Sequence, residues 1–184
     1  MIQLDTSWLQ HVQKPARYTG GEYNSIVKDH STVDVTMALA FPDVYEVAMS
    51  HLGIKILYGL VNRREDAAAE RVFAPWHDME EEMRKRNIPL FSLETRTPIK
   101  DFDVLAFTLQ YEMSFTNILN MLDLSGIPMY AKDRDMDFPL LVCGGPCAFN
   151  VEPIADFFDI VSLGESEEWG DEFIDLYKAE KAKG

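Results

Sequence analysis

From residue 33 onward, short unbroken apolar runs alternate with stretches whose apolar residues recur every three or four positions. Residues 33–41 (VDVTMALAF), 70–74, 104–109 (VLAFTL), 140–143 (LLVC) and 160–163 (IVSL) are brief, continuous and rich in β-branched or other apolar side chains. Such runs read as strands buried on both faces. Residues 44–64 predict one helix, with Val47, His51, Ile54, Tyr58 and Val61 on its inner stripe and Arg63-Arg64 at the negative end of its dipole. Asp78 with Glu81 has capping-box character and opens a charged helix to residue 87. Ser114 reads as the cap of a helix carrying Phe115, Ile118, Leu119 and Leu122, which stops at Gly126. A last helix follows residue 164, with Trp169, Phe173 and either Leu176 or Tyr177 inward. Residues 89–95 are a further short strand or an extended connector. Strands of this kind, spaced by amphipathic helices, predict an α/β domain: a five-stranded, doubly wound, mostly parallel, flavodoxin-like sheet in the order 2-1-3-4-5.

Residues 1–32 form a lead-in to the domain at 33–184, with a short helix over 7–13 ended by Lys14-Pro15 and a turn at 18–21. The 184 residues, 47% of them hydrophobic, suffice for one domain with a full core. Lys and Arg number 17 against 31 Asp and Glu, a formal charge of −14 that repels phosphate backbones and argues against nucleic acid as a partner. No apolar run approaches the roughly 20 residues that span a bilayer. Only two cysteines occur and no secretory leader is evident, so a reducing cytoplasm is the expected compartment.

In an open α/β sheet, ligands bind beyond the carboxyl ends of the strands. The candidate residues are therefore Pro42, Asp43, Tyr45 and Glu46 after the first strand and Gln110 and Tyr111 after the third. Gly144, Gly145 and Pro146 follow the fourth, and Gly164 and Glu165 the fifth. Glycines there let backbone approach a ligand closely. Several users of this sheet are excluded by what is missing: no G-x-G-x-x-G follows the first strand, no Walker loop occurs, no acceptor aspartate ends the third strand, and a hydroxyl-rich flavin-phosphate loop is lacking. Cys143-x3-Cys147 lacks the third cysteine of an iron–sulfur triad, Asn150 standing in the sequence instead. Cys143 reads as a buried, inert thiol and His51 as a core or rim residue rather than a metal ligand. With no nucleophile–base pair and no metal set, the isolated chain is not expected to be catalytic.

The segment GGPCAFNVEPIADFFDIVSLGESEE resembles the tail of the cobalamin-binding domain that precedes the catalytic domain in one class of radical S-adenosylmethionine proteins. Gly144-Gly145-Pro146, Glu152-Pro153, Asp159 and Gly164-Glu165-Ser166-Glu167 carry that likeness. RYTGGEYNS, ALAFPDVYEVAMSHLGIKILY, RVFAPWHDME and LQYEMSFTNILNMLDLSGIP are similar to an uncharacterised bacterial subfamily of the class, so the resemblance runs from about residue 15 to 175. It implies a cobalamin-binding-like module that presents a corrinoid or substrate to a downstream radical S-adenosylmethionine domain. The 4Fe-4S cluster and the S-adenosylmethionine would belong to that domain. The D-x-H-x-x-G pattern that places a histidine under cobalt is broken here: Asp43 is followed by Val44-Tyr45, and His51 by Leu52-Gly53. The implied binding is then base-off and without a histidine ligand, Tyr45 or Pro42 lying near the lower face. The alternative is a docking or substrate-recognition domain that keeps the fold without the cofactor.

Overall fold

The computed structural model describes residues 6–183. Five strands, β1 (Val35–Phe41), β2 (Ala67–Phe73), β3 (Val104–Thr108), β4 (Leu140–Gly144) and β5 (Ile160–Val161), form one sheet in the order β2-β1-β3-β4-β5. Every neighbouring pair is parallel. The order is the one expected from the alternation of apolar runs and helices.

Side chains alternate across the sheet, so the strands feed two cores. Ala38, Ala40, Leu105 and Phe107 face α3 (His77–Arg86) and α4 (Phe115–Ser125). Met37, Leu39, Val104 and Val142 face α1 (Tyr45–Ser50), α2 (Leu52–Arg63) and α5 (Ser166–Lys181). β5 is shorter than its apolar run because only Ile160 and Val161 find partners on β4. β2 is longer, beginning in an alanine triplet with little intrinsic strand preference that burial recruits at 0–2% exposure.

The helix expected over residues 44–64 is two helices, α1 and α2, divided at His51 (φ −81°, ψ 122°). The imidazole folds back to cap α2, its Nδ1 accepting from the Ile54 N–H at 3.4 Å. Glycine at position 53 makes the fold-back possible, since a Cβ there would stand 2.9 Å from His51 Cε1. His51 is thus a cap between helices and not a member of one long stripe.

Two other expected caps differ. α3 starts at His77 after Trp76, which makes no side-chain cap, and Asp78 instead accepts from the N–H groups of Gln13 (2.7 Å) and Met79 (2.8 Å). Ser114 does stand at the N-cap of α4, at the end of a 3-10 turn, but its hydroxyl makes no capping bond and donates instead to the Tyr111 carbonyl at 2.8 Å. Gly126 ends α4 in the left-handed conformation, as anticipated.

The lead-in holds 3-10 turns at Thr6–His11 and Pro15–Tyr18 in place of a helix over 7–13, and it buries Trp8, Leu9 and Val12 in the core beside α3. Residues 89–95 are a connector rather than a strand, with a single antiparallel bridge from Phe91 to Pro98. Connector and lead-in together cover the edge strand β2. Leu93 N–H donates to the Arg71 carbonyl (2.8 Å), Glu94 binds the Arg71 side chain (2.6 Å), and His30 meets the buried Glu70 carboxylate at 2.7 Å. An edge so covered offers no row of free amides.

Candidate functional site

A cavity of about 450 Å³ lies between the sheet and the helices α2 and α5. Leu39, Ala106 and Val142 from the strands, Ile54 and Leu57 from α2, and Trp169 and Phe173 from α5 give it an apolar body. The two aromatic rings of α5 stack at 4.7 Å. It reaches the strand carboxyl ends at Gln110, Gly144-Gly145-Pro146, Phe149 and Gly164-Glu165. A volume of this size is in the range of small-molecule sites, roughly 300–1,000 Å³.

At that end the backbone is held open by Gly145, whose φ of 106° and ψ of −177° suit glycine alone. A Cβ there would come within 3.0 Å of the Leu109 carbonyl oxygen. The Leu109 N–H donates to the Gly144 carbonyl at 2.7 Å, and the Leu109 carbonyl accepts from Cys147 N–H at 3.0 Å. The ends of β3 and β4 are stitched together just where the cavity opens.

A one-way chain of hydrogen bonds runs along the opening. Because Ile54 N–H donates to His51 Nδ1, the proton of the neutral ring sits on Nε2, which donates to Gln110 Oε1 at 3.1 Å. The Gln110 amide nitrogen then faces Thr108 and donates to its Oγ1. Thr108 accepts there and keeps its own O–H for another partner. Thr108 and Ser162 also belong to the cavity wall. Among the described residues, charge in the lining comes from Glu165 and Glu167, both exposed.

Of the residues singled out in the sequence, Gln110, Gly144, Gly145, Pro146, Gly164 and Glu165 line the cavity. Pro42, Asp43, Tyr45, Glu46 and Tyr111 do not, because the loop after β1 spends its polar groups within the fold. Pro42 offers its carbonyl to Asn117 (2.9 Å), and Asp43 accepts from the Tyr111 hydroxyl (2.7 Å), which raises the phenol pKa. Tyr45 donates to Glu22 (3.1 Å) with its ring edge-on to Phe73. Glu46 is held at a pKa of about 2, first by Arg17 at 3.0 Å and further by Lys14.

Sequence reasoning does not reach His51, Thr108, Phe149 and Ser162 as ligand contacts, although all four line the cavity. The sequence places Trp169 and Phe173 on the inward stripe of the last helix, and the structure stacks them along the cavity wall. The signal for His51 was present in Gly53, two residues on.

The cysteines stay outside any reactive arrangement. Burial pushes the Cys143 thiol up to about 12. Burial and then the Glu112 carboxylate raise Cys147. Among the described residues no group of three or more His, Cys, Asp or Glu is placed to hold a metal ion. Nor is any helix among them long and apolar enough to cross a membrane.

Comparison with known proteins places this architecture. A stretch of 134 residues is 28% identical to the uncharacterized protein MJ0966 of Methanocaldococcus jannaschii, covering 71% of this chain and 24% of the relative. The chain therefore spans about a quarter of the length of the relative it matches. Residues 53–184, from the head of α2 through the last helix, match the family described as radical SAM proteins, N-terminal. With most of the chain inside that match, the protein belongs to the family of radical SAM N-terminal domains.

Proposed function

We propose that this domain is a cobalamin-type module, holding a corrinoid by its nucleotide tail and presenting it to a downstream radical S-adenosylmethionine domain. The observation that carries the reading is the cavity between the sheet and α2 and α5, open at the strand carboxyl ends. It is too small for a whole corrinoid and of the right order for a nucleotide-sized group. Its apolar walls and stacked Trp169–Phe173 pair suit a flat, neutral ring. Gly144, Gly145 and Gly164 leave room for backbone to approach the group where it emerges. Thr108, with Gln110 already donating to it, turns its proton toward whatever acceptor sits beside it. Corrinoids supply a cobalt centre that carries a methyl group or exchanges electrons.

His51 supports a mode without a histidine ligand, since both of its ring nitrogens are engaged, one by Ile54 N–H and the other by Gln110. With the loop after β1 tied to Asn117, Glu22 and Arg17, Tyr45 and Pro42 serve in this reading as scaffold and not as contacts of the lower face. The iron–sulfur cluster and S-adenosylmethionine would reside in the catalytic domain, which would also share the choice of substrate.

Titration with hydroxocobalamin tests the proposal. The expected result is a shifted visible spectrum together with quenching of tryptophan fluorescence, Trp169 standing in the wall. An unchanged spectrum at high protein concentration overturns it in favour of a cofactor-free docking or substrate-recognition platform. The exposed acids Glu165 and Glu167 at the opening favour that second reading, as they suit a cationic partner.

A further inference from the structure

The carboxyl end of the sheet carries apolar side chains that water gains nothing by touching. Met113 after β3 is 86% exposed, Phe149 after β4 77%, Leu52 at the head of α2 68%, and Leu163 after β5 63%. Single exposed apolar residues are ordinary, but here four segments that contribute to the cavity wall each carry one. Leu52 sits between the lining residues His51 and Gly53, and Met113 three residues past Gln110. Phe149 is itself part of the cavity wall, and Leu163 sits between two residues that are, Ser162 and Gly164. Glu112, Glu165 and Glu167 lie in the same segments, and among the described residues none of the three has a lysine or arginine partner.

An apolar patch dotted with unpaired carboxylates selects its partner by chemistry. It repels nucleic acid and anionic lipid, and it fits a protein surface with an apolar centre and basic edges. The matching family is described as the N-terminal part of radical SAM proteins, and the relative holds about three quarters of its length outside the shared stretch. We infer that this ring is the docking face for the catalytic domain of the same polypeptide, and that docking closes the opening of the cavity. The inference rests on the proposed reading of the chain as a module serving that domain. It adds which residues make the joint, and that ligand retention and domain contact are one event.

Hydrogen–deuterium exchange tests it, run without corrinoid on the 184-residue chain and on the intact polypeptide that joins this domain to its catalytic domain. The expected result is exchange slower by about tenfold or more at residues 111–114, 147–150 and 163–167 in the intact polypeptide. The paired substitution Met113→Glu and Leu163→Glu restores fast exchange, and raising the salt moves it the same way. Met136→Glu, at a residue 95% exposed and ahead of β4 at the opposite end of the sheet, leaves the protection in place. Equal exchange in the two proteins overturns the inference, as does protection that survives the paired substitution. Protection in the 184-residue chain that grows with its concentration also overturns it, by assigning the ring to a second copy. The two readings fail separately. A chain that leaves the hydroxocobalamin spectrum unchanged while its ring is protected keeps the docking face and loses the corrinoid, and the reverse pair of results does the opposite.

Discussion

The two ends of the sheet are built on opposite principles. At the amino end, charges meet charges. Arg64 binds Asp66, Asp171 and Asp175, Lys178 spans Asp34 and Asp66, and Lys181 reaches Asp103 at 2.5 Å, so α2, α5 and the strand starts are laced together. Lys28 joins them from the lead-in, donating to the carbonyls of Asn62, Arg64 and Ala67. At the carboxyl end Glu46 is tied down by Lys14 and Arg17, while among the described residues Glu112, Glu165 and Glu167 have no lysine or arginine partner. Large apolar side chains there face water, and α2 and α5 part to leave a cavity. One end is finished by internal contacts. The other is shaped for something that arrives from outside, with its backbone turned through glycines at positive φ, Gly145 and Gly164.

The largest effect is expected where the open end is hardest to relax. Gly145→Ala places a Cβ against the Leu109 carbonyl at a φ of 106°, and both the clash and the backbone conformation oppose it. We expect a loss of about 2–3 kcal/mol, read as a lower denaturant midpoint. A change under about 0.5 kcal/mol would mean that the open end is not held as described.

At the closed end, Arg64→Ala leaves three carboxylates without their shared partner. The expected loss is smaller, about 1–2 kcal/mol, because the network stays in contact with water and salt. Its pH dependence carries a sign. Arg64 first, and then Lys178, hold the Asp66 carboxyl below the usual carboxylate range. A depressed folded value adds stability above the unfolded pKa of about 4, and that stability is lost as pH falls from there through the folded value. Acid unfolding should therefore steepen below about pH 4 in the parent protein and flatten in Arg64→Ala. Identical acid limbs would remove the closed end from the account of acid stability.

How much of this contrast is legible in a sequence depends on the length scale of the interaction. Strands β1, β3 and β4 are legible because a strand buried on both faces must be apolar throughout, and Val104–Thr108 has nothing polar until its end. The start of β2 at Ala67 is not, since an alanine triplet becomes a strand only through the neighbours that bury it. The glycines at the cavity opening are legible as backbone that must come close to something. Glu46 and Asp43 are not, because a carboxylate after a strand looks the same whether it faces a ligand or an arginine 29 residues back in the chain. The break at His51 combines both cases: the histidine was visible, but its role depends on a side chain turning back on its own helix.

The two cysteines give a middle-sized test at the open end. Cys143 is 1% exposed with its thiol pushed up to about 12, and Cys147 is only partly covered. An alkylating reagent near pH 8 should label Cys147 alone in the folded protein, slowly because burial and Glu112 raise its pKa, and both thiols after unfolding. Both cysteines fall in one tryptic peptide, residues 135–178, so fragmentation of that peptide in the mass spectrometer reads the outcome. Labelling of Cys143 under native conditions would show that the β4 end opens further than the structure has it.

The smallest effect in energy is the sharpest in geometry. Gly53→Ala should gain about 1 kcal/mol of helix propensity in α2. It should lose a similar amount as the new Cβ, 2.9 Å from Cε1, pushes His51 off the Ile54 N–H. The midpoint of unfolding then barely moves, and the consequence is chemical. Freed from Ile54, the ring no longer has to carry its proton on Nε2, so Gln110 loses the donor that sets which way its amide faces. Nitrogen-15 spectra of the imidazole should change from one dominant tautomer to a mixture. An unchanged Nε2–H tautomer in Gly53→Ala would mean that Gln110 and not the cap orients His51, and that the chain of hydrogen bonds at the opening is set from the sheet side.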